Sequence, residues 1–277
     1  MMCGWWCQEI VVSSALLGAV IGALASNPLS RWLGRKTTII LSAIVFSLGA
    51  ILCATAPNFN LLVVYRIFLG LALGMASFTA PVYLSEIAPK KSRGAVISAY
   101  QFLITIGILI AFISDTLLEP IGSWRIILGV TAIPALIMLF CVCFLPKSPR
   151  WLLLKGKTEQ AMRILKKIAG EKEAKLEAIE IQDSLKVKQS GFAMLGVKKF
   201  WPVLILGILL QLFQQFSGIN AIMYYAPPIF KMAGYASSSS QMRATVLVGL
   251  VNVISTIFTI IYVDKFGRRP ILFLGLG

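Results

Sequence analysis

The 277 residues predict an all-α, polytopic membrane protein, and three observations carry that expectation. The chain is 58% hydrophobic and only 13% charged, with a mean hydropathy of +0.84, whereas a soluble domain carries roughly 25% charged residues. Seven apolar runs approach the roughly 20 residues that a helix needs to cross a hydrocarbon core of about 30 Å. The basic residues, 26 against 11 acidic for a net charge of +15, gather in alternate connections between these runs, where the positive-inside bias puts cytoplasmic loops. An ordinary cytosolic enzyme is excluded, as is a disordered chain, which cannot hold so large an apolar fraction in water. Topology accounts for the positive charge, so no nucleic-acid partner is expected; the lipid bilayer is the partner.

Taken in order, the runs lie near residues 10–29, 38–56, 61–83, 95–114, 125–145, 200–230 and 244–263, and an eighth opens at Pro270. Each is expected to be helical, because a backbone in lipid must satisfy its own polar groups. Met1 to Glu9 has no basic residue and leads into a run with no clear cleavage site, so a secretory leader is not expected. Arg31, Arg35 and Lys36 follow the first run, Lys90, Lys91 and Arg93 the third, and Lys265, Arg268 and Arg269 the seventh. Thirteen further basic residues lie between Lys147 and Lys199, while the opposite loops hold no base between Ala56 and Asn60 and only Asp115 and Glu119 between Asp115 and Ser123. Alternating crossings put every basic cluster inside and the N-terminus outside. From Thr158 to Lys188 the pattern changes: Ala161, Ile164, Leu165 and Ile168 recur at helical spacing among charges, as in a soluble amphipathic helix. The expected organisation is a membrane bundle over 1–146, a cytoplasmic helical linker over 147–199 and the start of a second bundle over 200–277.

Two basic loops repeat. Arg31-Trp32-Leu33-Gly34-Arg35-Lys36 follows the first run and Asp264-Lys265-Phe266-Gly267-Arg268-Arg269 follows the seventh, six crossings later. An even number of crossings makes a parallel repeat, as between the two halves of a transporter. Other strings join it: Tyr65-Arg66 with Gly70 and Gly74, Pro81 to Pro89 with Arg93-Gly94, Trp124-Arg125, Pro146-Lys147-Ser148-Pro149-Arg150-Trp151-Leu152, and Gln214 to Asn220 with Tyr224 to Pro227. On these residues the chain resembles the sugar porters of the major facilitator superfamily, most nearly the bacterial galactose, arabinose and xylose proton symporters. The resemblance implies a partial major facilitator fold, comprising the family's helices two to eight and a stub of the ninth. It implies transport of a neutral hexose or pentose by alternating access across the plasma (inner) membrane, with a proton as the coupled partner. The sequence departs from the family pattern at Arg31, Trp32 and Lys147, where acidic or amide, basic, and acidic residues respectively are common.

Polar groups inside lipid are costly, so they mark a pathway by default. Gln211, Gln214 and Gln215 fall at i, i+3 and i+4, three amides on one helical face. Ser217-Gly218 loosens that helix, Asn220 and Tyr224 follow, and Pro227-Pro228 interrupts its hydrogen bonding. Gln101, one turn before Thr105, offers a second wall. Uncharged amides both donate and accept, which suits sugar hydroxyls, although amides also hold helices together. The resemblance assigns sugar binding to Gln101, Gln214, Gln215 and Asn220, and gate or cavity positions to Tyr224 and Asn252. It pairs Arg66 with a proton-carrying aspartate on the family's first helix, and it places Glu86, Arg93, Arg150, Asp264, Arg268 and Arg269 in an inner salt-bridge network. Solvated loop charges remain the alternative for that network, and snorkelling to the outer surface the alternative for Arg66.

The chain has no histidine, no metal-ligand spacing, no nucleophile motif and no phosphate loop, so neither catalysis nor a cofactor or metal is expected. Cys53, Cys141 and Cys143 lie in apolar runs and are expected to be buried small hydrophobes. Two alternatives accompany the transporter reading: a truncated chain that does not transport by itself, and a membrane sugar sensor or receptor, since seven crossings with an outer N-terminus also describe a receptor.

Overall fold

The computed structural model describes residues 5–89, 92–186 and 201–267, together with Pro270 and Phe273. The described residues form twelve α-helices: α1 (Trp5–Leu33), α2 (Arg35–Ala54), α3 (Phe59–Ile87), α4 (Arg93–Leu118), α5 (Trp124–Val130), α6 (Ala132–Phe144), α7 (Pro149–Leu154), α8 (Thr158–Ala169), α9 (Glu171–Lys186), α10 (Trp201–Phe216), α11 (Ile219–Met232) and α12 (Ser238–Phe266). Among the described residues, seven segments are long and apolar enough to cross a membrane, one for each of the seven expected full-length runs. Two are interrupted. The span from Trp124 to Phe144 breaks at Thr131, because Pro134 has no N–H to give to the carbonyl one turn back. The span from Trp201 to Met232 breaks at Ser217-Gly218, as its sequence predicts.

The chain divides into two compact units: Met1–Ile97 with Gly122–Lys186, and Ser98–Ile121 with Val187–Gly277. In the first unit, α1 and α3 pack through glycines spaced four apart. A Cβ at Gly18 or Gly22 would overlap the carbonyl oxygen of Ile67 or Leu71, and one at Gly70 or Gly74 that of Ala15 or Ala19. Close backbone approach replaces the large side chains of a soluble core, because lipid gives apolar residues no reason to leave it. The buried side chains are accordingly small and often hydroxylic. Ser26 and Thr79, both fully buried, share a hydrogen bond of 2.7 Å between α1 and α3. Thr38, Ser42 and Ser47 on α2 return their hydroxyls to carbonyls three or four residues back, which satisfies them without a partner helix. Leu24, Leu117, Phe140 and many other large apolar residues cover the outside. Cys53 is buried as expected, but Cys141 and Cys143 are exposed: their helix turns them outward among residues that face lipid.

Beyond the spans, α7, α8 and α9 form a small water-type core from Leu152, Leu153 and Ala161 with Ile164 and Ile181, continued by Leu165, Ala174 and Ala178. Here the amphipathic period buries its apolar stripe in the ordinary way. In the second unit, α12 approaches α4 at Gly249, where a Cβ would lie 2.9 Å from Phe112, and α11 packs on α12.

Candidate functional site

The interruption between α10 and α11 positions the amides. Gly218 adopts φ +75, a left-handed conformation that costs a residue with a Cβ roughly 1 kcal/mol or more. Its N–H bonds the carbonyl of Gln215, and the Ser217 hydroxyl donates to the carbonyl of Gln214 at 2.6 Å. The chain then re-enters helix with Gly218 as its cap, and Tyr225 (φ −115, ψ 20) marks a second irregularity ahead of Pro227 and Pro228.

One consequence is local and specific: Asn220 Nδ2 donates to Gln215 Oε1 at 2.7 Å across the break. Residues five apart do not face each other on a continuous helix, so the bend creates this pair. Gln214, Gln215, Asn220 and Tyr224 all have exposed side chains, as does Gln101 on α4, and Asn252 on α12 is half-buried. An amide exposed on a membrane-spanning segment must meet either another polar group or water. Joined as donor and acceptor, Gln215 and Asn220 still leave one amide N–H₂ and one carbonyl to engage a third group.

At the basic-loop end of the first unit a second cluster forms around Glu86. Arg35 Nε and Nη2 each lie 3.2 Å from Glu86 Oε1, and the Ser148 hydroxyl donates to Oε2 at 2.5 Å. The carboxylate side chain is only 7% exposed, so both of its oxygens are engaged where water is scarce. Trp151 Nε1 donates to the carbonyl of Arg31, the Tyr83 hydroxyl donates to that of Pro146, and the Trp151 ring lies against Gly34, whose φ of +97 turns the chain between α1 and α2. Glu86 is thus held inside one unit by Arg35 and Ser148, two residues absent from the expected network; the repeated Gly-Arg string was the signal for Arg35. Arg93 instead lies 3.7 Å from Glu177 of α9, and its Nε is buried without a hydrogen-bond partner among the described residues. Arg150 is half-buried at the start of α7. The backbone of Asp264 lies in the last turn of α12, while its side chain and all of Arg268 and Arg269 lie outside the described residues.

Arg66 sits near the other end of α3, and its Nε is buried with no hydrogen-bond partner among the described residues. A guanidinium fully snorkelled into water would not bury that atom. No group of three or more metal-ligating side chains occurs among the described residues.

Against this geometry, the family model described as "Sugar (and other) transporter" matches residues 6–277. The chain is 51% identical over 270 residues to the galactose-proton symporter of Escherichia coli K12, covering 97% of this chain and 58% of that protein. It is 48% identical over 272 residues to the arabinose-proton symporter of the same strain, covering 98% and 58%. The chain therefore spans little more than half the length of the curated relatives it matches. Among solved structures it resembles the xylose transporter XylE from E. coli in a partially occluded inward-open conformation, with TM-score 0.81, 33% identity, and coverage of 94% of this chain and 63% of that one. It also resembles the proton:xylose symporter XylE bound to 6-bromo-6-deoxy-D-glucose, with TM-score 0.84, 34% identity, and coverage of 94% and 60%. With seven spans among its described residues, a helix interrupted at its amides and a family match along nearly its whole length, the chain is an integral, multi-pass protein of the inner membrane, and it belongs to the sugar transporter family of the major facilitator superfamily.

Proposed function

We propose that this chain supplies the sugar-binding wall and part of the alternating-access machinery of a transporter for a neutral monosaccharide, coupled to protons. The observation that carries the reading is the Gln215–Asn220 amide pair at the α10–α11 break. It presents paired donors and acceptors without charge at an interrupted membrane helix, where porters bind substrate. Gln214 extends this wall along α10, Gln101 and Asn252 contribute from α4 and α12, and Tyr224 serves as a gate. Galactose, arabinose and xylose, named in the relatives, share a ring of vicinal hydroxyls that such amides fit.

Proton coupling runs through Arg66: its guanidinium, whose buried Nε has no hydrogen-bond partner among the described residues, is the cation that a proton-accepting carboxylate would neutralise. Glu86, Arg93, Arg150, Asp264, Arg268 and Arg269 act at the inner ends of the two bundles, 1–146 and 200–277, which the 147–199 linker joins. Transport breaks no covalent bond, so the reading includes no catalytic group. The test is equilibrium binding of radiolabelled galactose, arabinose and xylose to membranes carrying this chain, with uptake measured with and without a protonophore. Q215A is expected to weaken binding about tenfold, the worth of one hydrogen bond to a hydroxyl; undiminished binding in Q215A and N220A would sink the assignment.

A further inference from the structure

A shallow groove in the first unit is lined by none of the amides. It has a volume of about 410 Å³ and is lined by Ala54, Arg125, Ile126, Gly129, Val130 and Ile133. Five of these residues come from α5 and the start of α6 at spacings of one, four, five and eight, so they form one stripe along the helix. Ala54, the last residue of α2, closes the other side. Gly129 makes the depression, since a Cβ there would meet that of Ala54 at 3.3 Å. From Arg125 to Ile133 the stripe runs about 12 Å, most of the roughly 15 Å depth of one leaflet.

Its top is the only charged point along it. The Arg125 guanidinium stacks 4.5 Å from the centre of the Trp124 ring and donates one hydrogen bond, to the carbonyl of Ala56 at 3.3 Å. No carboxylate pairs with Arg125 among the described residues, and most of its five N–H groups remain for another acceptor. Tryptophan and arginine at the end of a span sit at headgroup level, and the groove below them opens into acyl chains.

We propose that this groove is a binding site for an anionic phospholipid, with the headgroup phosphate on Arg125 and one acyl chain laid along Ile126, Gly129, Val130 and Ile133. An oriented cation above an apolar trough complements a phosphodiester above a hydrocarbon chain. A smaller cavity of about 210 Å³ in the second unit, lined by Ile113, Thr116, Leu117, Arg243 and Val246, provides the comparison: Arg243 is an exposed arginine on a shorter trough. The proposal is independent of the sugar reading.

The full chain, delipidated in detergent, is titrated with phosphatidylglycerol or phosphatidylcholine, and retained lipids are counted by native mass spectrometry. Wild type is expected to retain phosphatidylglycerol about fivefold better than phosphatidylcholine, the effect of one arginine at a membrane surface. R125Q loses that preference and R125K keeps it, while I133W lowers retention of both lipids by filling the trough from an exposed position. Should R125Q unfold, as circular dichroism would reveal, R125K and I133W still decide the matter. Equal retention of both lipids by wild type, an unchanged preference in R125Q, a loss in R243Q as large as in R125Q, or undiminished retention in I133W overturns the site.

Discussion

Glu86 shows how one side chain organises the basic-loop end. Its carboxylate accepts from Arg35 and from Ser148, so it fastens three features that are far apart in the chain: the α1–α2 turn, the end of α3 and the start of α7. Replacing it with glutamine strands a mostly buried guanidinium, and E86Q is expected to cost about 3 kcal/mol, read as a lower midpoint of thermal unfolding in detergent. S148A, which removes both the donor to that carboxylate and the N-cap acceptor of the Trp151 N–H, should cost about 2 kcal/mol. At the amides, Q215A and N220A should not add: because each holds the other, the double variant is expected to bind sugar little worse than either single one, a coupling that a double-mutant cycle measures. The amides were legible in the sequence because polar residues are rare in an apolar run. Their pairing was not, because residues five apart separate on a regular helix and meet only once Gly218 turns the chain. Arg35 and Ser148 escaped for a similar reason: nothing along the chain says which of many loop cations and hydroxyls a given carboxylate will find.

The membrane helices form for reasons visible in composition, but what they bury inverts the usual expectation. Large apolar residues on α1, α3 and α6 face outward, and glycine, serine and threonine face inward. G22L or G70L is therefore expected to separate α1 from α3 and abolish a cooperative melt, since the obstruction is a backbone carbonyl that cannot yield. G94A, with open space around its site, should leave the melt unchanged. Lys166 and Glu171 join α8 to α9 at 2.6 Å, and this hydrogen bond, reinforced by the charges of Lys166 and Lys175, holds the Glu171 carboxyl below its ordinary range. A depressed carboxylate pKa stabilises the folded state above the unfolded value, near 4.3 (approximately), and that contribution disappears as pH falls through the lower folded value. E171Q should remove this acid-side dependence from the unfolding of α8 and α9. Because the pair lies at the surface, the difference from wild type is expected to be small and to shrink further in salt.

At the scale of the whole molecule, charge asymmetry sets the orientation. A single cysteine introduced at Asn58 should react with an impermeant maleimide in intact cells, and one at Lys157 only after permeabilisation; the reverse pattern would invert the topology. The spans and the placement of basic loops could be counted in advance because lipid imposes a length, a helical backbone and a charge bias that act on each segment alone. Packing units could not. Division of the chain by its contacts runs through α4, grouping Ser98–Ile121 with the C-terminal helices, whereas the linear pattern breaks at the charged linker. Hydropathy distinguishes membrane from water but not one apolar neighbour from another. Which helices approach closely, which amide meets Gln215 and which cation meets Glu86 are settled by steric fit and by the need to satisfy polar groups in three dimensions, information that is spread over segments far apart in the chain.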